Sequence, residues 1–449
     1  MYKQIKSYLA QDIYPFHMPG HKRNPMFMPS CVLQLDMTEI PGMDILSSPS
    51  GMICDLQTEI AKFYGARHSF LLVNGSSSGI IAAICATCSD GDTLVVPRNA
   101  HVSAYRGMVL SGAVPFYILP EITNDGLAGG VSPTSLDNMP YGAAVLIVSP
   151  TYEGFVSNIK VIAEKVHARG GILIVDEAHG AHFAFDHAND FPRSALQNGA
   201  DIVVQSMHKT LPMLSQCAVL HVNGENVDME RLRFFVNALQ TTSPSYIFMS
   251  VCDYVLRYLW NEPQLFTMYA ERLASVRTLL PGTNSNATLR LMGREMVGQA
   301  AIFNIDPGKL LLTAHTTTSA EDIAEMMLQR YKIQMEMAAA QHILAMTSVA
   351  DTDEGFERFI NAIDGLNREL AISPTRASSS FPYSIPQMAI PPRQAANMLT
   401  KQVPWQSAAG KICGQLVTQY PPGIALVAPG EIIPPNLPKL KENIQIIER

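Results

Sequence analysis

Two short stretches of this chain hold residues that could do chemistry together. "VDEAHGAHF", residues 175–183, puts Asp176 at the end of an apolar run. "QSMHKTLP", residues 205–212, puts Lys209 just beyond the next apolar run, 201–205. A lysine at a buried strand end is costly unless it is paired or used. Desolvation lowers an amine's pKa and makes it a nucleophile toward carbonyls. A buried carboxylate likewise needs a cation or hydrogen-bond donors. Two readings follow: a structural ion pair, or an amine that condenses with an aldehyde while the acid holds a proton on a heterocyclic nitrogen. The second is the arrangement that pyridoxal phosphate (PLP) requires.

A third stretch bears on the choice. "LLVNGSSSGII", residues 71–81, is strand, glycine turn, three hydroxyls and helix. Backbone N–H groups at a helix N-terminus, with serine hydroxyls, make an anion cradle. Ordinary N-capping needs one hydroxyl, and here there are three: Ser76, Ser77 and Ser78. "PRNAHVS", residues 97–103, follows another apolar strand and brings His101 to the same edge, where an imidazole could stack on a flat ring. His179, three residues after Asp176, points to the same region. His179, His182 and His187 have spacing that a metal could use, but they lack the helical glutamate of a hydrolytic zinc motif, so no metal is expected.

The elements that must position these residues alternate. Apolar runs at 69–73, 93–96, 114–119, 143–148, 171–176, 201–206 and 218–222 are expected strands, and helical patterns such as 158–169 lie between them. Near-continuous Val/Ile/Leu strands separated by helices predict an α/β fold with a mostly parallel sheet covered on both faces. Ligands of such sheets sit beyond the carboxyl ends of the strands, where Asp176 and Lys209 both fall. The expected organisation is an N-terminal arm (1–40), a large ligand-binding domain (41–276) closed by a long helical stretch from 227 to 276, a smaller α/β domain (277–370), a Ser/Pro-rich linker (371–393) and a terminal module (394–449). A basic cluster, His17, His21, Lys22 and Arg23, marks the arm.

The bulk numbers agree with this. Of the 449 residues, 47% are apolar and 16% charged, as in a well-buried globular protein. A net charge of −7 argues against a nucleic-acid partner. No apolar run is long enough to span a bilayer, and the N-terminal residues lack a signal-peptide core, so a soluble, cytoplasmic protein is expected. Seven unpatterned cysteines predict reduced thiols. The pair Cys85 and Cys88 lies inside an apolar helical run and is expected to be core.

Several stretches together resemble the Orn/Lys/Arg decarboxylase family of PLP enzymes: "FHMPGHK", "LVNGSSSG", "RNAHVS", "SPTYEG", "VDEAHGAHF", "QSMHKTLP", "TTSPSY" and "YPPGIALVAPGE". The likeness runs from residue 16 to 431. It resembles the shorter members, which lack an N-terminal receiver-like domain. It implies the aspartate-aminotransferase fold (PLP fold type I), with Lys209 holding the cofactor's aldehyde, Asp176 its ring nitrogen, and His101 stacked on the ring. Ser77 and Ser78, with Ser206 and His208, would hold the phosphate, with Ser76 as an outer hydroxyl and His179 near the ring's edge. Thr242 or Ser243 would reach a partner subunit's phosphate, which implies a homodimer with shared sites. The implied reaction releases CO2 from a basic amino acid (lysine, arginine or ornithine) to leave a polyamine-type amine. Lys209 or His208 would return the proton to Cα.

The substrate's distal cation needs an acid. Asp44, Glu153 and Glu431 each sit in or beside one of these motifs, and each could instead be a loop acid or a helix cap. Two other readings remain open from sequence alone. One is transamination on the same scaffold, with Arg290, Arg294 or Arg393 clamping the α-carboxylate. The other is a PLP-binding or interaction protein without activity.

Overall fold

The computed structural model describes residues 10–17, 20–27, 35–185, 191–283, 285–372, 384–419 and 424–448. Its centre is a seven-stranded sheet: β1 (His68–Leu72), β2 (Thr93–Pro97), β3 (Val114–Ile118), β4 (Ala144–Val148), β5 (Ile172–Asp176), β6 (Ile202–Gln205) and β7 (Ala218–Val222). The order is β1-β7-β6-β5-β4-β2-β3. Only β7 runs against the others, pairing antiparallel with both β1 and β6. All seven apolar runs of the sequence are therefore strands, in a mostly parallel α/β sheet as expected.

Alternate residues of each strand face opposite sides, and both sides are buried. Val95, Val145, Leu173 and Val203 share one core with Ile162 of helix α4 (Ile159–Ala168). Leu94, Leu146, Ile174 and Val204 share another with Ile84 of α2 (Gly75–Thr87) and Met108 of α3 (Val102–Ser111). Helix α1 (Met52–Tyr64) precedes β1, and a single turn, α5 (Met207–Thr210), follows β6.

The helical stretch expected from 227 to 276 is instead three helices: α6 (Met229–Ala238), α7 (Tyr246–Asn261) and α8 (Gln264–Leu279). Pro244 and Pro263 stand at the two breaks. Proline has no N–H to continue a helix and disfavours helical backbone in the residue before it.

Beyond α8 lies a four-stranded antiparallel sheet in the order Leu289–Leu291, Lys309–Ala314, His342–Met346, Met337–Ala339. Helices Ala320–Tyr331 and Asp353–Glu369 accompany it. Its short strands Leu289–Leu291 and Met337–Ala339 carry too few residues to show a period in the sequence. The last part of the chain forms two antiparallel strand pairs, Thr400–Pro404 with Asn443–Ile447 and Val417–Gln419 with Ile424–Val427. Part of the expected linker, 373–383, and the start of "YPPGIALV", 420–423, lie outside the described residues. Cys85 and Cys88 are buried free thiols, each pushed up to about 11 by burial. Among the described residues no helix is long and apolar enough to cross a membrane.

The N-terminal arm is threaded into the molecule. Tyr14–Phe16 pairs in parallel with Ile333–Met335. Lys22 is buried, its ammonium donating to the carbonyls of Met346 and His17. Gly20 N–H donates to the His208 carbonyl at 2.7 Å, and Ser348 Oγ donates to the Gly20 carbonyl. A Cβ at Gly20 would meet the Leu211 carbonyl oxygen at 2.5 Å. Backbone cannot yield as a side chain can. Gly20→Ala is therefore expected to lift the arm off the turn that carries Lys209 and to cost about 1–3 kcal/mol. Thermal denaturation and hydrogen exchange of residues 207–211 would check this, and unchanged protection there would count against it.

Candidate active site

The carboxyl ends of β1, β2, β4, β5 and β6 open into one cleft of about 410 Å3. Ser76, Ser77, His101, Glu153, Asp176, His179, Ser206, His208 and Lys209 all line it. They arrive from five strand ends, so the sheet, rather than any one local motif, brings them together.

Asp176 closes β5 and is 6% exposed. Its Oδ1 accepts from the Ala178 N–H at 3.2 Å. Among the described residues no cation stands within ion-pair distance of it, so the simple Asp176–Lys209 pair does not form. Lys209 instead places Nζ 3.0 Å from His179 Nε2. Burial pushes the Lys209 amine down, and the Asp176 and Glu336 carboxylates oppose this. A carboxylate with one N–H partner, open to a cleft, suits a ligand that presents a protonated nitrogen.

Helix α2 begins at the cleft with no side chain capping it. Its first-turn N–H groups lack intrahelical partners and, with the positive end of the helix dipole, favour an anion. Gly75 supplies the turn with φ +73°. Ser206 Oγ donates to Ser76 Oγ at 2.7 Å, joining the ends of β1 and β6. Ser78 differs from expectation. Its hydroxyl donates to the Gly75 carbonyl, and it does not line the cleft. Ser215 and Gln216 do line it, yet sequence patterning does not single them out.

His101 is the N-cap of α3, its Nδ1 accepting from the Ser103 N–H, so its ring is fixed in orientation. His208 Nδ1 lies 3.0 Å from the Cys217 carbonyl, which can only accept, so that nitrogen carries a proton. Desolvation is the largest influence on both rings and lowers both pKa values, keeping them neutral. His182 is bound to Asp306 at 3.2 Å, and His187 lies outside the described residues.

The three acids separate. Glu153 lines the cleft, and burial raises its pKa. Asp44 is not in it. Its two oxygens accept from the N–H groups of Ile45, Ser50, Gly51, Ile53 and Cys54 at the start of α1. Burial raises its pKa, but these donors win and hold it at about 2. Glu431 is also absent from the cleft. It pairs with Arg98 at 2.7 Å, each side chain 1% exposed. Thr242 and Ser243 are exposed in the turn between α6 and α7 and do not line this cleft.

Sequence reasoning misses two buried charged residues that stand next to this site without lining the cleft. Lys309 opens a strand of the smaller sheet, is 3% exposed, and stands 2.8 Å from His179 Nδ1. Lys309 precedes its apolar run "LLLTA", whereas Lys209 follows one, so the strand-end signal that marks Lys209 does not mark it. Arg98 lies three residues before His101, and Ile424 of the terminal module bridges to His101 itself. No local signal ties residue 98 to residue 431.

The sequence pattern of the "Orn/Lys/Arg decarboxylase, major domain" matches residues 1–354, and that of the corresponding C-terminal domain matches 375–449. The chain belongs to the Orn/Lys/Arg decarboxylase family. The decarboxylase is 31% identical over 464 residues to an arginine decarboxylase of Bacillus subtilis, covering 100% of this chain and 92% of that one. It is 32% identical over 448 residues to an arginine decarboxylase of Bacillus anthracis, covering 96% and 90%. Its fold is similar to that of the Escherichia coli constitutive lysine decarboxylase, with a TM-score of 0.76 at 18% identity over 93% of this chain and 72% of that one. The aspartate-aminotransferase-like reading of the sequence stands. The residues of the cleft also fit PLP: an acid open to a protonated ring nitrogen, an amine without a carboxylate partner, and an uncapped helix N-terminus with hydroxyls for a phosphate.

Proposed function

We propose that the decarboxylase binds PLP in this cleft and removes the α-carboxylate of a basic amino acid, arginine foremost. The observation that carries the reading is that Asp176 and Lys209 face one cleft without pairing to each other, opposite an uncapped helix N-terminus. The arginine assignment is supported by the two relatives named as arginine decarboxylases, each matched over nine-tenths of its length.

In this reading each residue has one task. Lys209 attacks the aldehyde, which needs the uncharged amine that burial favours. Asp176 keeps a proton on the ring nitrogen. The α2 N-terminus, with Ser76, Ser77 and Ser206, binds the phosphate, and His101 covers the ring. Bound there, the cofactor supplies an electron sink for the pair left when CO2 departs. Lys209 or His208 then delivers a proton to Cα. Glu153 receives the distal guanidinium, for which a carboxylate offers a matching fork. Thr242 and Ser243, exposed on their turn, reach the neighbouring site of a homodimer.

Transamination finds less support. Arg290 donates to the Ala287 and Thr283 carbonyls, and Arg393 to the Val109 carbonyl and Asp90. Neither they nor Arg294 lines the cleft.

A panel of arginine, lysine, ornithine and neutral amino acids, assayed for CO2 and amine, tests the reading. Arginine is expected to give the highest kcat/KM. Glu153→Gln is expected to lower that value roughly 10- to 100-fold, the worth of one charged hydrogen bond, while PLP absorbance persists. No turnover of any basic amino acid would overturn the substrate assignment and leave the cofactor assignment standing.

A further inference from the structure

His179 is a buried imidazole held between two amines. Its Nε2 is 3.0 Å from Lys209 Nζ and its Nδ1 is 2.8 Å from Lys309 Nζ. The arrangement is built: Gly154, at φ +99°, leaves room for the Lys309 stem, whose Cγ a Cβ there would meet at 2.6 Å. An ammonium only donates, and a neutral imidazole has one N–H and one lone pair. If both lysines were ammoniums, one contact would set N–H against N–H. If His179 were an imidazolium between two ammoniums, both would. Two hydrogen bonds therefore require at least one uncharged amine that accepts from the ring, and with His179 neutral, as burial and the neighbouring lysines favour, one such amine suffices.

Neighbouring carboxylates distinguish the two amines, three about Lys309 and two about Lys209. Lys309 faces Asp306, Glu336 and Glu153, and the Tyr152 ring lies 5.7 Å away, all of which favour a cation. Burial is the largest influence on Lys309 and pushes it down to about 8, with these acids opposing the fall and Lys209 adding to it. Lys209 faces two carboxylates, Asp176 and Glu336, together with the rings of His101, His179 and His208.

We propose that Lys309 is a positioning residue: it donates to His179 Nδ1, fixes the Nε2–H form of the ring, and so makes His179 donate to Lys209 and hold that amine uncharged for attack on an aldehyde. The proposal rests on the reading of Lys209 as the cofactor-bearing amine. It adds a residue of the smaller sheet to the readiness of that amine. Removing the Lys309 charge also takes one cation away from Asp306, Glu336 and Glu153, which raises the Lys209 pKa in the same direction.

The test is made on full-length protein freed of cofactor. Limiting acetic anhydride acylates uncharged amines, releasing acetate, and mass spectrometry of the Lys209 peptide against pH gives the midpoint of reactivity. Lys309→Met is expected to move that midpoint up by about one unit or more. Nitrogen NMR of 15N-histidine protein, with His179 assigned by His179→Gln, is expected to show Nε2 protonated and Nδ1 bare in the wild type. An unmoved midpoint in a folded Lys309→Met protein would overturn the proposal, as would an Nδ1–H ring in the wild type. The NMR arm decides the matter even where the variant does not fold. Visible absorbance of wild type with PLP tests the cofactor reading separately, so failure of one is distinguishable from failure of the other.

Discussion

Lys209→Ala is expected to abolish the visible absorbance formed with PLP and to lower CO2 release by roughly 10³-fold or more, the scale seen when a covalent nucleophile is removed. The fold should survive. Lys209 sits at the end of a single helical turn, its side chain reaches into the cleft, and its contact is His179 rather than a buried carboxylate. No charge is left unpaired by its removal, so the melting temperature should change little. The melting curve and the absorbance separate the two effects. A variant that kept both absorbance and turnover would remove the chemical basis of the cofactor assignment.

Arg98→Met is expected to be the most destabilising single change at the junction with the terminal module. Arg98 donates to both Glu431 oxygens and to the Leu426 carbonyl, and its guanidinium lies 4.5 Å from the Tyr117 ring centre and 5.8 Å from that of Tyr105. Glu431 also accepts from the Ala428 N–H. Taking away one partner leaves a buried carboxylate without its cation, at a cost of about 3–5 kcal/mol. Replacing both, as Arg98→Met with Glu431→Leu, should recover most of it, because the unpaired charge rather than the lost attraction is what costs. The effect should reach the chemistry. Residues 98–101 are one loop, and His101 bridges to Ile424. Thermal denaturation of the single and double variants, with PLP absorbance as a second readout, would check this. A single variant as stable as wild type would show that the buried pair does not hold the module.

Much of the site was legible before any coordinates. Strand-end positions of Asp176, Lys209, His101 and Ser206 follow from apolar runs that stop and from the rule that parallel sheets bind at their carboxyl edge. The glycine turn and hydroxyls at 75–77 are local as well. Where local patterning erred, the cause is plain. The stretch 227–276 keeps helical periodicity across Pro244 and Pro263, and periodicity alone does not report a break. Ser78 has the same chemistry as Ser76 and Ser77, but one turn of helix points its hydroxyl at the Gly75 carbonyl instead of the cleft.

By itself, then, the sequence determined the α/β architecture, the order of the strands along the chain, and the acid, amine and anion cradle at their ends. These depend on periods of two and 3.6 residues and on turn chemistry within about ten residues. Only the tertiary structure decided the partners. It placed Glu153 in the cleft, bound Asp44 to five backbone N–H groups, and paired Glu431 with Arg98, although the three acids are chemically alike. It brought Lys309 from a second sheet to His179, and it decided between the two readings of Asp176 and Lys209 open at the outset by leaving them unpaired, facing a common space. Contacts between residues 98 and 431, or 179 and 309, arise from how sheets and modules dock. No local pattern of residue types encodes them.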